Sequence, residues 1–254
     1  MADAAASATR ALRLLDLTDL NDGCREDHIE ALVGRALTPH GPVAAVCVWP
    51  QFVSLCRSRL RERPVRIATV VNFPHGGTDV ERAVFDAREA LKDGADEIDV
   101  VLPYAAFMAG DIRVAKDMVA ALREEVVGRG RLKVILETGA LGTPDLIRRA
   151  SVLAVEGGAD FIKTSTGKIA TSATLAACEV MLEVIRDSGR PVGLKPSGGI
   201  RTLADAEGYL ALADRIMGPG WATPATFRFG ASGLYDALLA AITGEGAAAG
   251  KAGY

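Results

Sequence analysis

Charged residues stand where apolar strands should end. The segments "GADEIDVV" (Gly94–Val101) and "GGADFIKTS" (Gly157–Ser165) share Gly-Ala-Asp, and aligning it superposes Asp99 on Lys163. Side chains alternate across a strand, so the common register aims both groups the same way. Further on, "VGLKPSGG" places Lys195 at the end of another apolar run. A single lysine at a strand end needs no explanation, because its stem can lie on apolar surface while the ammonium reaches water. An acid and two lysines aimed inward are different. Burial favours the neutral amine, and a neighbouring cation lowers its pKa further. A neutral amine attacks a carbonyl, and the protonated imine that follows is an electron sink for making or breaking an adjacent carbon–carbon bond. Asp99 would then keep the second lysine charged and serve proton transfer.

These residues need a scaffold that brings strand ends together. Short β-rich runs alternate with longer helical patterns: "VAAVCVW", "VRIATVVNF", "EIDVVLP", "LKVILET", "DFIKTS", "PVGLKPS" and "TFRFGAS", with an eighth run in "RLLDLTDL" near the start. The strands read as continuous apolar runs, as expected when helices cover them. Eight such units in a chain of 254 residues match a (β/α)8 TIM barrel, typically about 250 residues long. The competing fold, a doubly wound open sheet, loses because no Gly-x-Gly-x-x-Gly turn follows an early strand. An extra helix precedes the first strand. Residues 1–243 are expected to form one barrel domain, and 244–254, small and Gly-rich, are read as a mobile C-terminal tail. Helix boundaries are written locally: Thr78 and Glu81 as a capping box, Gly94 as a stop, Thr143-Pro144 as a start, with further helices from about Thr171 and from Thr202.

Composition narrows the function. A formal net charge of −3 gives no reason to expect nucleic acid or an anionic membrane as partner. No apolar run reaches the roughly 20 residues of a membrane span, and the N-terminal segment reads as a helix rather than a signal peptide. Cys24, Cys47, Cys56 and Cys178 are scattered, which suits free thiols in a reducing cytoplasm. His28, His40 and His75 are read as forming no metal-ligand cluster, so neither metal nor other cofactor is expected. His75 in "NFPHGG" reads as a turn residue.

Two Gly-containing turns, "SGGIRT" and "FGASGLY", follow the last two strands and lead into helices. Backbone N–H groups there make an anion site, and the loops after strands seven and eight of such barrels often hold phosphate. The plainer reading of each is a tight turn. Gly198, Gly199, Gly230, Ser232 and Gly233 are the candidates, with Gly167 and Lys168 beside them. "STGK" lacks the upstream glycine of a P-loop, since Ile162 stands there. Asp16 and Thr18, at the end of "LLDLTDL", are supporting polar groups, with capping or a turn as the alternative for Asp16. Glu137 either orients a lysine or threonine or merely ends a strand. Cys47 is read as packing rather than nucleophile, because no histidine is placed to activate it.

"LLDLTDLND", "VCVWP", "RIATVVNFPHG", "GADEIDVVLPY", "ADFIKTSTGK", "GLKPSGGIR" and "FRFGAS" together resemble the deoxyribose-phosphate aldolases, in order and over nearly the whole chain. The resemblance implies a metal-independent class I aldolase. It would reversibly cleave 2-deoxy-D-ribose 5-phosphate to D-glyceraldehyde 3-phosphate and acetaldehyde, in cytoplasmic deoxynucleotide catabolism. It implies Lys163 as the Schiff-base lysine, Lys195 as the lysine that perturbs it, and Asp99 as the acid/base partner. Cys47 and Thr18 would line the substrate. Tyr254, which ends the chain, would help move a proton at the enamine carbon; its alternative is an incidental terminal residue. A homodimer is the family expectation. Gly233 departs from the family's second serine after Ser232, which leaves phosphate binding there to Ser232 and backbone N–H groups. Two other readings keep the scaffold: an isomerase or lyase using Asp99 as base without an imine, and a phosphate-ligand sensor without turnover.

Overall fold

The computed structural model describes residues 2–245; Tyr254 lies outside them. Eight parallel strands form the central sheet: β1 (Leu15–Asp19), β2 (Ala45–Val48), β3 (Arg66–Val71), β4 (Glu97–Val101), β5 (Arg131–Ile135), β6 (Phe161–Lys163), β7 (Gly193–Lys195) and β8 (Phe229–Ala231). Each pairs with its sequence neighbour, and β8 returns to β1. The remaining seam, β7 to β8, is held by the parallel bridges Leu194–Phe227 and Ser197–Gly230. Arg228 N–H donates to the Leu194 carbonyl at 3.0 Å and Gly230 N–H to that of Pro196 at 2.8 Å. This is the expected (β/α)8 barrel. A two-residue hairpin, Leu37–Thr38 with Gly41–Pro42, lies outside it.

The principal helices are α1 (Ala2–Arg13), α2 (Glu26–Arg35), α3 (Val53–Leu60), α4 (Val80–Lys92), α5 (Ile112–Val126), α6 (Pro144–Glu156), α7 (Leu175–Ser188), α8 (Leu203–Met217) and α9 (Leu234–Thr243). Helical periodicity decides which face each buries. In α5, Ala115, Met118, Val119, Leu122 and Val126 fall on one stripe and are buried. Each large side chain so buried stabilises the fold by about 1.5–3 kcal/mol. Thr143 caps α6, accepting from Leu146 N–H with Pro144 in the first turn, and Thr202 with Asp205 closes a capping box on α8. Two boundaries differ from expectation. The cap of α4 is Asp79, which accepts from Arg82 N–H, so the pattern sits one residue downstream of Thr78. Helix α7 starts at Leu175 with Thr174 as its cap; the chain from Thr171 to Thr174 forms no regular element, with the Thr171 carbonyl packed on Gly139 so closely that a Cβ there would lie 2.0 Å away.

The two faces of the strands carry opposite chemistry. Leu15, Leu17, Val46, Val48, Ile67, Ile98, Leu132, Val134, Ile162 and Leu194 belong to the apolar layer under the helices. The alternate residues face the barrel axis, and many of them are charged. Helix cover alone therefore does not explain these strands: one face packs on helices and the other on the remaining strands.

Candidate active site

Asp99 is the hub of the interior. Its Oδ2 accepts from Lys163 Nζ at 3.0 Å and Lys195 Nζ at 2.8 Å, and its Oδ1 from Lys133 Nζ at 2.7 Å. The register explains this convergence: Asp99 lies beside Lys133 across β4–β5, Ile135 beside Lys163 across β5–β6, and Lys163 beside Lys195 across β6–β7. The cluster continues around the ring. Lys195 Nζ lies 2.6 Å from Asp16 Oδ2, and Lys133 Nζ 2.7 Å from Glu97 Oε2. Arg228 donates to Asp16 Oδ1 at 2.6 Å and to Glu97 Oε1 at 2.8 Å. All seven groups are at most 2% exposed. Lys163 does not snorkel, and Asp16 is part of the cluster rather than a cap.

Three carboxylates, Asp16, Glu97 and Asp99, face four basic groups, Lys133, Lys163, Lys195 and Arg228, so full ionisation leaves one positive charge unmatched. Contacts decide where the deficit falls. Arg228 and Lys195 each reach two carboxylates, and Lys133 reaches three. Lys163 reaches only Asp99, through the oxygen that Lys195 shares. Burial and then the Lys195 charge hold Lys163 below the ordinary lysine pKa, against the pull of Asp99. Burial also opposes charge on Lys195, but Asp16 and Asp99 outweigh it and hold that amine above its ordinary value. On Asp99, burial is overcome by Lys133, Lys195 and Lys163, and the carboxyl is held far below its usual range. The site thus contains one amine whose charged form is disfavoured beside one whose charge is held.

Above this floor, one wall is apolar: Leu20, Cys47, Ala68 and Val70 pack together, with Trp49 and Phe73 against them. Cys47 is fully buried there, and burial pushes its thiol up, so packing is the better description. Thr18 lies beside Cys47 in the β1–β2 register and donates to the Asp16 carbonyl at 2.8 Å. Glu137, at φ 57°, turns its buried carboxylate to Thr166, accepting from Thr166 Oγ1 at 2.5 Å. Burial raises its pKa, opposed by those Thr166 hydrogen bonds. It orients a threonine.

The glycine turns gather on the same end of the barrel. Gly167 and Gly198 approach so closely that a Cβ on Gly198 would lie 3.2 Å from the Gly167 Cα and 2.6 Å from Ser172 Oγ. Gly198 and Gly199 both have positive φ, 84° and 81°, which a residue with a Cβ adopts at a cost. A Cβ on Gly230 would meet Ser197 Oγ at 2.4 Å and Lys195 Cε at 3.0 Å. Ser232 is exposed, and Gly233 precedes the first turn of α9. Lys168 stands at the rim, 2.9 Å from Asp22 Oδ1 and 5.9 Å from the Trp49 ring centre. His75 occupies a turn and is exposed.

Lys133, Glu97 and Arg228 were not among the sequence candidates. Each had a signal: Glu97 is two residues from Asp99 on the same strand face, and Lys133 and Arg228 interrupt the apolar runs "RLKVIL" and "TFRFGA" at inward positions. Near the mouth of the barrel, Asp19, Cys24 and His28 bring their ligand atoms within 4.8 Å of one another. Among the described residues no helix is long and apolar enough to cross a membrane.

A parallel barrel with amines and carboxylates interleaved at the ends of its strands has the frame of a barrel enzyme. The chain belongs to the DeoC/LacD family of aldolases, carbon–carbon lyases, whose family model matches residues 10–240. It is 51% identical over 249 residues to a deoxyribose-phosphate aldolase of Agrobacterium fabrum, covering 98% of this chain and 96% of that one. A crystal structure from Toxoplasma gondii, provisionally named as such an aldolase, superposes with a TM-score of 0.87 at 28% identity, covering 96% of this chain and 98% of that one. A similarly named protein from Coccidioides immitis gives 0.81 at 28% identity, covering 91% and 85%.

Proposed function

We propose that this chain reversibly cleaves 2-deoxy-D-ribose 5-phosphate to D-glyceraldehyde 3-phosphate and acetaldehyde through an imine on Lys163. The observation that carries the reading is the placement of the Lys163 amine. It is buried, shares its one carboxylate with Lys195, and is held below the ordinary lysine pKa by burial and by that neighbour. The Agrobacterium relative's name supports the choice of substrate.

In the cleavage direction the neutral Lys163 amine adds to the substrate C1 aldehyde, and loss of water leaves a protonated imine. A base takes the C3 hydroxyl proton, the C2–C3 bond breaks, and its electron pair moves into the imine to give an enamine and the triose phosphate. Protonation at C2 and hydrolysis then release acetaldehyde and the amine. Asp99 and Lys195 are proposed to relay these protons, and Asp16 pairs with Lys195 behind them. The apolar wall of Leu20, Cys47, Ala68 and Val70 suits a two-carbon fragment without charge, with Thr18 at its edge. The turns carrying Gly167, Gly199, Ser232 and Gly233, with Lys168 at the rim, are proposed to hold the phosphate by backbone N–H groups and one cation; Gly198 and Gly230, whose N–H groups donate to the Gly230 and Pro196 carbonyls, give close approach instead. Tyr254 is proposed to help protonate the enamine carbon, so deleting it lowers turnover while imine formation persists. A cytoplasmic place in deoxynucleotide catabolism and a homodimer belong to the same proposal.

The test is a turnover assay on 2-deoxyribose 5-phosphate. Acetaldehyde and triose phosphate should appear in equal amounts, and Lys163→Arg should lower turnover by about three orders of magnitude or more. Stoichiometric binding without products, or a variant within about tenfold of the parent, would overturn the reading.

A further inference from the structure

We propose that Asp19, Cys24 and His28 form a binding site for a zinc-class divalent cation at the rim of the barrel. Their ligand atoms, a carboxylate oxygen, a thiol sulfur and an imidazole nitrogen, all lie within 4.8 Å of one another. They come from three elements: Asp19 ends β1, Cys24 lies in the loop that follows, and His28 sits in the first turn of α2. A tetrahedral zinc site needs ligand atoms about 3.3–3.8 Å apart, given bonds of about 2.0–2.3 Å. A contraction of about 1 Å completes it, and the exposed His28 and half-buried Cys24 have the side-chain freedom to close on Asp19. Mixed sulfur, nitrogen and oxygen donors select a borderline-soft ion over magnesium or calcium. Three protein ligands leave a fourth position for water.

The surroundings favour this assignment. Asn21 donates its backbone and side-chain N–H groups to Asp19 Oδ1, at 3.1 and 2.8 Å, and so fixes the carboxylate. Arg25, 3.3 Å from His28 Nε2, is exposed and paired with Asp27 at 3.1 Å, so its charge has another partner. Ligation replaces the S–H bond by a sulfur–metal bond and releases the proton to solvent. The loop so clamped also carries Asn21, whose carbonyl accepts from Trp49 Nε1, and Asp22, the partner of Lys168. The ion would therefore stiffen one side of the active-site mouth.

Titrating the chelator-treated protein with Co2+ tests the proposal. One equivalent should bind, with a thiolate-to-cobalt charge-transfer band and the intense visible bands of four-coordination, both erased by added Zn2+. Cys24→Ser should abolish the charge-transfer band, and His28→Ala should weaken binding by about tenfold or more. A band that persists in Cys24→Ser would come from another cysteine and would overturn the site, as would no band in the parent. If Cys24→Ser fails to fold, alkylation of Cys24 in the parent decides: Zn2+ should protect it, less so in His28→Ala, and an unchanged alkylation rate in the parent contradicts the site.

Discussion

At the scale of single residues, the interior assigns unequal roles to groups of similar chemistry. Lys163 and Lys195 share one oxygen of Asp99, yet only Lys195 also holds Asp16. The difference makes opposite stability predictions. Because Lys163 is held below its ordinary pKa, its charged form is disfavoured in the folded state, and the group costs stability at pH values below the ordinary lysine range. Lys163→Met should therefore melt at the same temperature as the parent or higher, although it loses activity. Lys195→Met leaves Asp16 and Asp99 short of a partner and should lose about 3–5 kcal/mol in urea unfolding. Equal destabilisation by both variants would mean that Lys163 is an ordinary structural ion pair. The triad Asp99, Lys163 and Lys195 was legible because a repeated Gly-Ala-Asp set the register of two strands. Lys133, Glu97 and Arg228 were harder to see. A lone charge within an apolar run looks like an exposed strand residue until the partner strands are known, and Arg228 lies 131 and 212 positions from its two acids.

At the scale of elements, Gly230 within β8 has a geometric reason to be glycine. A Cβ on Gly230 would press on Ser197 and Lys195. Gly230→Ala should thus lower kcat/KM by about tenfold or more while the protein stays folded by circular dichroism. Gly233 is different: the nearest atom to a Cβ there is Arg201 Cγ at 3.9 Å, with φ at −74°. A serine fits, and Gly233→Ser should lower KM for 2-deoxyribose 5-phosphate but not for unphosphorylated 2-deoxyribose. A KM change shared by both sugars would remove the turn after β8 from the phosphate site. Strand and helix order, and the starts of α6 and α8, could be read from capping residues because those signals are local. The start of α7 could not, since Thr171 packs on Gly139, distant in sequence, and the helix begins only after the cap at Thr174.

At the scale of the whole molecule, a charged interior makes folding sensitive to acid. Asp16, Glu97 and Asp99 are all held below their ordinary values by their basic partners, against burial. The folded state then binds fewer protons than the unfolded chain, so stability increases with pH through this window. The contribution is complete above the unfolded values of about 3.9 and 4.3, and is lost as pH falls towards the folded values. Urea unfolding should show a free energy that drops steeply below about pH 4.5, with a slope of up to about 4 kcal/mol per pH unit from three carboxylates. A stability unchanged down to about pH 3 would mean that the cluster is not ionised as described.

The most direct test of the central claim is covalent. The protein is reduced with borohydride in the presence of acetaldehyde, weighed intact, and mapped by peptide. The account predicts one added ethyl group per chain, on Lys163. An ethyl group on Lys168 or Lys195 instead, or none at all, would contradict it.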